Sequence, residues 1–445
     1  MPNRKQPKTE KIRSNRQITR PLIITVVCIV VGIAALVIGF AATGNIPGVS
    51  LDIGSSSTVT SPAQTVSLAD AFGGSAVQFK ARPAGTGKFY VVGKDIVDPN
   101  GKIFYGVGAN IVGNPGGPGC SRLRGGFPNE SAAGNVAKAK QWGWNVVRLN
   151  FWSYFLNCPN TGSPYTQTDL LNGIDEIVQE YTRQGIVVIL GLHENFADKG
   201  GEITSLSDPR YAASLNIWPI IASKYKNNSY VWFGTLNEYI HDSGTSFYDL
   251  WRQIAEAEYK AIRDTGAENI TVHNLPGWGQ DINSLTTTTP VSTLVTGKCN
   301  VVYDWHDYGA AGGSAGETAN IAQQLSLLTT VLQRNIPVVI GEYGADSANI
   351  EQGGGGTYWD DASVKMISAN AAQLGVSALW WHGVGGSAYT NYLNLTTNRL
   401  PFYKEGFDGN NLTTYGTLHR NLGLTKPVPK TFTGILKNSN CASAP

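Results

Sequence analysis

From about residue 87 onward, short apolar runs alternate with longer stretches in which apolar and polar positions mix. The short runs are 103–110 (IFYGVGAN), 145–151 (NVVRLNF), 186–193 (IVVILGLH) and 231–238 (VWFGTLNE). They continue at 269–275 (NITVHNL), 300–308 (NVVYDWHDY), 337–342 (PVVIGE) and 377–384 (SALWWHGV). Runs of this length and apolarity suit strands buried on both faces, as in a parallel sheet. Stretches between them, among them 131–142, 168–184, 246–264 and 317–334, fit helices. Eight strands alternating with helices predict an α/β chain closed as a (β/α)8 TIM barrel. Ahead of the barrel, KFYVVGKDIVDPNGKIFYGVG places two apolar runs around the turn DPNG at 98–101. That pattern predicts a β-hairpin capping the barrel at its N-terminal side.

The first 77 residues follow other rules. Residues 1–20 carry seven of the 34 Lys and Arg and one of the 32 acids. Residues 21–42 contain the uncharged run LIITVVCIVVGIAALVIGFAA. At about 1.5 Å per helical residue this run matches the ~30 Å core of a bilayer. The expectation is a transmembrane helix with the basic tail in the cytoplasm and the rest outside the cell. The alternative is a signal peptide, cleaved near AATG at 41–44 to give a secreted protein. Residues 43–77 are rich in Gly, Ser, Thr and Ala and fit a flexible linker. Residues 78–445 are then the folded barrel domain. They hold most of the remaining 27 bases and 31 acids, so the folded part is mildly acidic. A basic face for nucleic acid is not expected, and a monomer is. Leaving Cys28 to the apolar segment, four cysteines remain, and the expected pairs are Cys120–Cys158 and Cys299–Cys441. Sequons begin at Asn129, Asn227, Asn269, Asn394 and Asn411.

A barrel places its chemistry at the C-terminal ends of its strands. There the sequence puts Asn110, Arg148, His193, Asn237, Glu238, His306, Tyr308, Glu342 and the pair Trp380–Trp381. Two of these stand out: VWFGTLNEY and PVVIGEYG each end an apolar run in a carboxylate, Glu238 and Glu342. A carboxylate is costly to desolvate, so its place at such an end needs a reason. Two carboxylates across a cleft suit cleavage of a glycosidic bond, one protonating the leaving oxygen and one attacking the anomeric carbon. Their environments must differ, so that one is an acid while the other is an anion. Arg148 and Tyr308 are placed to hold Glu342 as a carboxylate. Asn237 is placed for a sugar hydroxyl, and a tryptophan of the 380–381 pair for stacking under a ring. On an ideal strand only one of those two faces the cleft. His193, His306 and Glu194 imitate a metal cluster, but sugar hydrogen bonding is the simpler role. The chain has no HExxH, CxxC or P-loop, and no metal or organic cofactor is expected. Taken singly, each residue has a bland role as packing, ion pair or solvated loop, and only the combination is specific.

In DPNGK, VVRLNF, GLHEN, TLNE, WHDY, IGEYG and WWH, across roughly residues 85–425, the chain resembles glycoside hydrolase family 5. The resemblance implies a retaining barrel enzyme with Glu238 on strand four as acid/base and Glu342 on strand seven as nucleophile. It further implies Arg148, His193, Asn237, His306, Tyr308 and Trp381 as the shell around the sugar in the −1 subsite. Trp381 is preferred to Trp380 because a small polar turn, His382–Gly383, follows it. Tyr239 departs from the family, which often has proline after the acid/base. The expected partner is a β-linked polysaccharide, foremost β-1,4-glucan, with mannan, xyloglucan and mixed-linkage glucan as alternatives within the family. Trp278, in GWGQD after strand five, is a candidate platform for a further sugar. The alternatives to hydrolysis are transglycosylation and a surface protein that only binds carbohydrate. The retained pair of glutamates weighs against the second.

Overall fold

The computed structural model describes residues 87–112, 132–151, 167–193, 202–242, 244–307, 317–344, 361–381, 414–436 and 441. The chain divides into two units, Met1–Ala76 and Val77–Pro445, and every described residue lies in the second. The expected membrane segment, the linker, Cys120, Cys158, Glu194 and Tyr308 lie outside the described residues. Among the described residues no helix is long and apolar enough to cross a membrane.

Eight parallel strands close into a barrel. They are β3 (Val107–Val112), β4 (Val146–Phe151), β5 (Val187–Leu192) and β6 (Val231–Gly234). The circuit continues with β7 (Thr271–Asn274), β8 (Val301–Asp307), β9 (Val338–Tyr343) and β10 (Ala378–Trp380). Each strand bonds to the next in chain order, and β10 returns to β3. The helices α1 (Ala132–Gln141), α2 (Gln167–Arg183), α3 (Pro209–Tyr225) and α4 (Thr245–Arg263) follow β3 to β6 in turn. After β7 comes only a 3-10 turn, Ile282–Leu285. Helices α5 (Glu317–Gln333), α6 (Asp361–Leu374) and α7 (Thr414–Leu424) complete the ring. Most strands are shorter than the apolar runs that announce them. Strand β6 ends at Gly234, for example, so Asn237 and Glu238 stand on a bend beyond it, although the Asn237 N–H still donates to the Leu192 carbonyl at 2.9 Å.

Alternation sorts the side chains of the barrel. Toward its N-terminal mouth the inward positions are apolar: Val146, Val187, Ile189, Trp232, Val272, Val302, Val339 and Leu379. Further along, the inward positions turn polar, with Asn110, Arg148, Asn274, Asp304 and His306 all buried. The apolar end is closed by Phe89, whose ring meets Phe104, Tyr230 and Trp232 edge-on at 5.3, 5.2 and 5.4 Å. Phe89 immediately precedes β1 (Tyr90–Val92), which pairs antiparallel with β2 (Asp95–Val97). The turn between β1 and β2 is therefore at Gly93–Lys94, ahead of the expected turn at DPNG. Gly93 supplies the left-handed φ of 58° that the tight connection requires. DPNG forms a separate turn, in which the Asp98 carboxylate accepts the N–H groups of Asn100 and Lys102, each at 2.8 Å. It leads to an antiparallel bridge between Val97 and Ile103.

The C-terminal tail fastens to this same end. Lys102 bridges Thr431, and Cys299, just before β8, is bonded to Cys441, 142 residues later. Of the two expected disulfides, this is the one whose cysteines are described. A link closing so long a loop removes much freedom from the unfolded chain, so Cys441→Ser is expected to cost about 2–5 kcal/mol of stability. The bond is at the mouth opposite the strand C-termini, so turnover of the folded variant is expected to match the parent. Urea unfolding read beside specific activity checks both halves. Of the sequons, Asn269 is buried and committed to the fold. Its amide donates to the carbonyls of Tyr225, Asn228 and Val231 at 3.2, 2.8 and 2.9 Å.

Candidate active site

Glu342 reaches the cleft through a β-bulge. The register pairs Asp304 with Val339 and Trp305 with Ile340, then skips Gly341 and pairs His306 with Glu342. Strict alternation from the inward Val339 would send Glu342 outward. The extra residue returns it to the inner face beside His306. Only glycine fits the skipped position, because a Cβ there would lie 1.8 Å from Asp304 Oδ1.

Glu238 arrives by another device. Neighbours in an extended chain face opposite sides, yet Asn237 and Glu238 both serve the cleft. Glu238 takes a left-handed φ of 45°, a conformation that costs a non-glycine residue about 1–3 kcal/mol and needs support from its surroundings. Asn274 gives part of that support by accepting the Glu238 N–H at 2.8 Å.

Arg148 is the hub of the site and is fully buried. Its Nη1 donates to Glu342 Oε1 at 2.6 Å and to Asn110 Oδ1 at 3.0 Å. Its Nη2 donates to Asn237 Oδ1 at 2.6 Å and lies 3.9 Å from Asp304 Oδ2. On the other side of Asp304 stands His306, with Nε2 3.5 Å from the same oxygen. His306 Nδ1 is 2.7 Å from Glu238 Oε1 and 3.7 Å from Glu342 Oε2. One cation and one imidazole thus stand among three carboxylates. The two glutamates differ in exposure: the Glu342 side chain is 3% exposed and that of Glu238 20%.

Burial alone would drive the imidazole of His306 toward neutrality. The charges of Glu342 and Asp304 and the hydrogen bonds to Asp304 and Glu238 outweigh it and raise the ring to about 10. Its folded-state value therefore lies above the 6.5 of an unfolded histidine. The stability gained from the protonated ring is complete below about pH 6.5. It is lost as the pH climbs toward 10. Over that window this one proton gives unfolding free energy a slope approaching about −1.4 kcal/mol per pH unit. Lys426 opposes it, since burial depresses its amine to about 8 and favours folding as the pH rises. The wild type minus His306→Asn difference in urea stability, from pH 6 upward, isolates the histidine. A difference independent of pH would mean that the ring is neutral throughout.

The ligand atoms of Glu238, His306 and Glu342 lie within 4.8 Å of one another, close enough to converge on a cation. Protonated His306 has no lone pair to give, and its Nδ1 is already engaged by Glu238. The trio is better suited to sharing protons than to holding a metal.

The other expected residues fall at several places. His193 and Trp381 stack, with ring centroids 5.1 Å apart and planes at 15°. Trp380 points the other way and packs edge-on to Tyr343 at 5.2 Å. Trp278 is 39% exposed at the rim, in a left-handed conformation with φ 59°. It lies flat on His241, with planes at 12°. Two residues of the network escaped the sequence reading, Asn274 and Asp304. Asp304 stands two residues before His306 and so shares its strand face; that spacing was the available signal. Asn274 is the last residue of β7, and its role depends on a turn belonging to another strand.

Residues 113–386, more than half of the chain, match the family described as cellulase (glycosyl hydrolase family 5). The endoglucanase EG-II of Hypocrea jecorina is 30% identical over 205 residues, spanning 43% of this chain and 47% of that protein. The endoglucanase gh5-1 of Neurospora crassa is 25% identical over 301 residues, spanning 62% and 71%. The chain spans about half the length of the first of these curated relatives. In fold, it superposes on the catalytic domain of a mannanase from Streptomyces sp. SirexAA-E with a TM-score of 0.55. That likeness has 17% identity and covers 80% of this chain and 97% of the other.

Proposed function

The chain belongs to glycosyl hydrolase family 5, and on that premise we propose a glycosidase, a retaining, endo-acting enzyme for a β-linked polysaccharide, foremost β-1,4-glucan. The observation that carries the retaining mechanism is the proximity of the two glutamates. One oxygen of each is within 4.8 Å of the other, both beside His306 Nδ1. Retaining enzymes hold their carboxyls about 5–5.5 Å apart, whereas inverting enzymes need roughly 6.5–9.5 Å to admit a water.

In the first step Glu342 attacks the anomeric carbon while Glu238 gives its proton to the departing glycosidic oxygen. The products are a glycosyl ester on Glu342 and a shortened chain with a free hydroxyl. In the second step Glu238, now a base, takes a proton from water. That water breaks the ester and restores both carboxyls. Arg148 holds Glu342 in position through a 2.6 Å ion pair, which suits a carboxylate that must attack as an anion. The same guanidinium fixes the Asn237 oxygen, leaving Asn237 Nδ2 to donate to the sugar 2-hydroxyl. Trp381, steadied by His193, forms the floor of the −1 subsite. Trp278 is an aromatic platform for a sugar beyond the point of cleavage. The two relatives named above, both endoglucanases, favour glucan as substrate. The apolar run at 21–42 supports an exported catalytic unit, anchored or secreted.

The test is reducing-end release by the full chain on β-glucan, mannan, xyloglucan and xylan, with Glu342→Gln alongside. The expected result is release foremost on β-1,4-glucan, first as the β-anomer and absent in the variant. First appearance of the α-anomer would overturn retention. A folded wild type inactive on all four would point to a binding protein.

A further inference from the structure

We infer that Asn274 and Asp304 act together as a positioning pair, which places the carboxyl of Glu238 and holds a negative charge against His306. Neither residue belongs to the shell expected from the sequence, and both are fully buried. The inference rests on the acid/base role assigned to Glu238 above.

The amide of Asn274 joins two parts of the site. Its Nδ2 donates to Asp304 Oδ2 at 2.7 Å. Its Oδ1 accepts the N–H of Glu238 at 2.8 Å. A carboxylate only accepts hydrogen bonds, so Asp304 decides which way round the amide stands. With the amide fixed, its oxygen is presented to the one backbone donor that must be held for Glu238 to keep its left-handed conformation. The asparagine is itself anchored, since its carbonyl accepts from Trp251 Nε1 at 2.8 Å. Asp304 cannot drift toward β9 and is fitted against Gly341, where no Cβ has room.

The same Asp304 oxygen faces His306 Nε2 at 3.5 Å. The charged groups around the ring are Asp304 on its own strand, Glu238 beyond β6 and Glu342 on β9, with Arg148 on the far side of Asp304. From the loop after β7, Gly279 packs on the ring and brings no charge. The pair therefore couples two requirements of the acid/base. It sets the backbone that aims Glu238, and it maintains the charge state of the imidazole that Glu238 touches.

The two roles separate by exchange. Asp304→Asn can keep its oxygen toward Asn274, so Glu238 stays in place while the charge beside His306 is lost. Asn274→Asp sets two carboxylates against each other and breaks the link. The double exchange, Asn274→Asp with Asp304→Asn, restores the bond between the two side chains with donor and acceptor reversed, keeps an oxygen at 274 to accept the Glu238 N–H, and moves the charge away from His306.

The experiment measures kcat/KM, which reports the step through formation of the glycosyl ester, on phenyl and dinitrophenyl β-cellobiosides for the wild type, the three exchange variants, Asn274→Ala and Glu238→Ala. The ring of His306 is titrated by NMR in each. Asn274→Ala is expected to lose about 100-fold on the phenyl glycoside, the usual cost of misplacing a catalytic group by an ångström. It should lose far less on the dinitrophenyl glycoside, whose leaving group needs no proton. The double exchange should recover most of the activity lost in Asn274→Asp. In Asp304→Asn and in the double exchange His306 should titrate at lower pH than in the wild type. Equal losses on both glycosides in Asn274→Ala, or a double exchange no better than Asn274→Asp, would overturn the positioning role. An unmoved His306 in Asp304→Asn would overturn the charge role. If Glu238→Ala itself shows no dependence on leaving group, the acid/base assignment fails, and the NMR titration alone decides whether the pair acts on His306.

Discussion

Glu342→Gly is expected to abolish hydrolysis by about four orders of magnitude or more, as removal of a catalytic nucleophile does. Azide should then restore turnover on an activated β-glycoside and yield the α-glycosyl azide. The reason is geometric. Glu342 is held on one side by Arg148 Nη1 at 2.6 Å and set by the bulge at Gly341 against the cleft. Deleting its side chain leaves a space beside a guanidinium that has lost its partner, a natural seat for a small anion. Attack from that seat happens once, with no second displacement, so the configuration inverts. Glu238→Ala should instead form its ester on Glu342 normally, and azide entering in the second step should give the β-azide. Identical anomers from the two variants would sink the assignment of roles. Activity surviving in Glu342→Gly without azide would remove it as nucleophile.

Arg148→Met is expected to lose both stability and turnover. The variant keeps much of the side-chain volume but leaves Glu342 and Asp304 with His306 alone as a cation, shared with Glu238. Breaking a buried pair by removing one partner typically costs about 3–5 kcal/mol, because an uncompensated charge remains in a poorly solvated place. Asn110 and Asn237 lose donors at 3.0 and 2.6 Å as well, so the −1 subsite loses its order. Turnover should fall about 10²–10³-fold, the scale of removing a preorganised donor from a reacting centre. Arg148→Lys should recover little, since a single ammonium cannot reproduce the fork. The stability deficit should shrink as the pH falls and the stranded carboxylates take up protons. Chemical denaturation at pH 4 and pH 7 checks the sign. A deficit that is the same at both would mean that packing, and not charge, accounts for it.

Much of the molecule was legible in the amino-acid order because the signals were local. Eight apolar runs named the eight barrel strands, as their bonded ladder confirms. One of the two expected disulfides, Cys299–Cys441, is present. The DPNG turn does join antiparallel segments, bridged at Val97 and Ile103, but a further tight turn at Gly93, which the apolar pattern did not mark, precedes it. The run at 231–238 overstated its strand because apolar character continues to Leu236, past Gly234, where the strand ends.

The sequence by itself determined that a parallel barrel would form and that polar groups would gather at one end of it. Both follow from periodicity, which each segment carries in its own residues. What only the tertiary structure decided was where those groups point. The bulge at Gly341 turns Glu342 inward against the parity of its strand. The left-handed turn at Glu238 does the same on the other side. Asn274 and Asp304 became part of the site because β7 and β8 bring them beneath groups borne on other strands. Each of these depends on hydrogen bonds between segments far apart in the chain. A pattern read along one segment has no access to what its neighbours will offer.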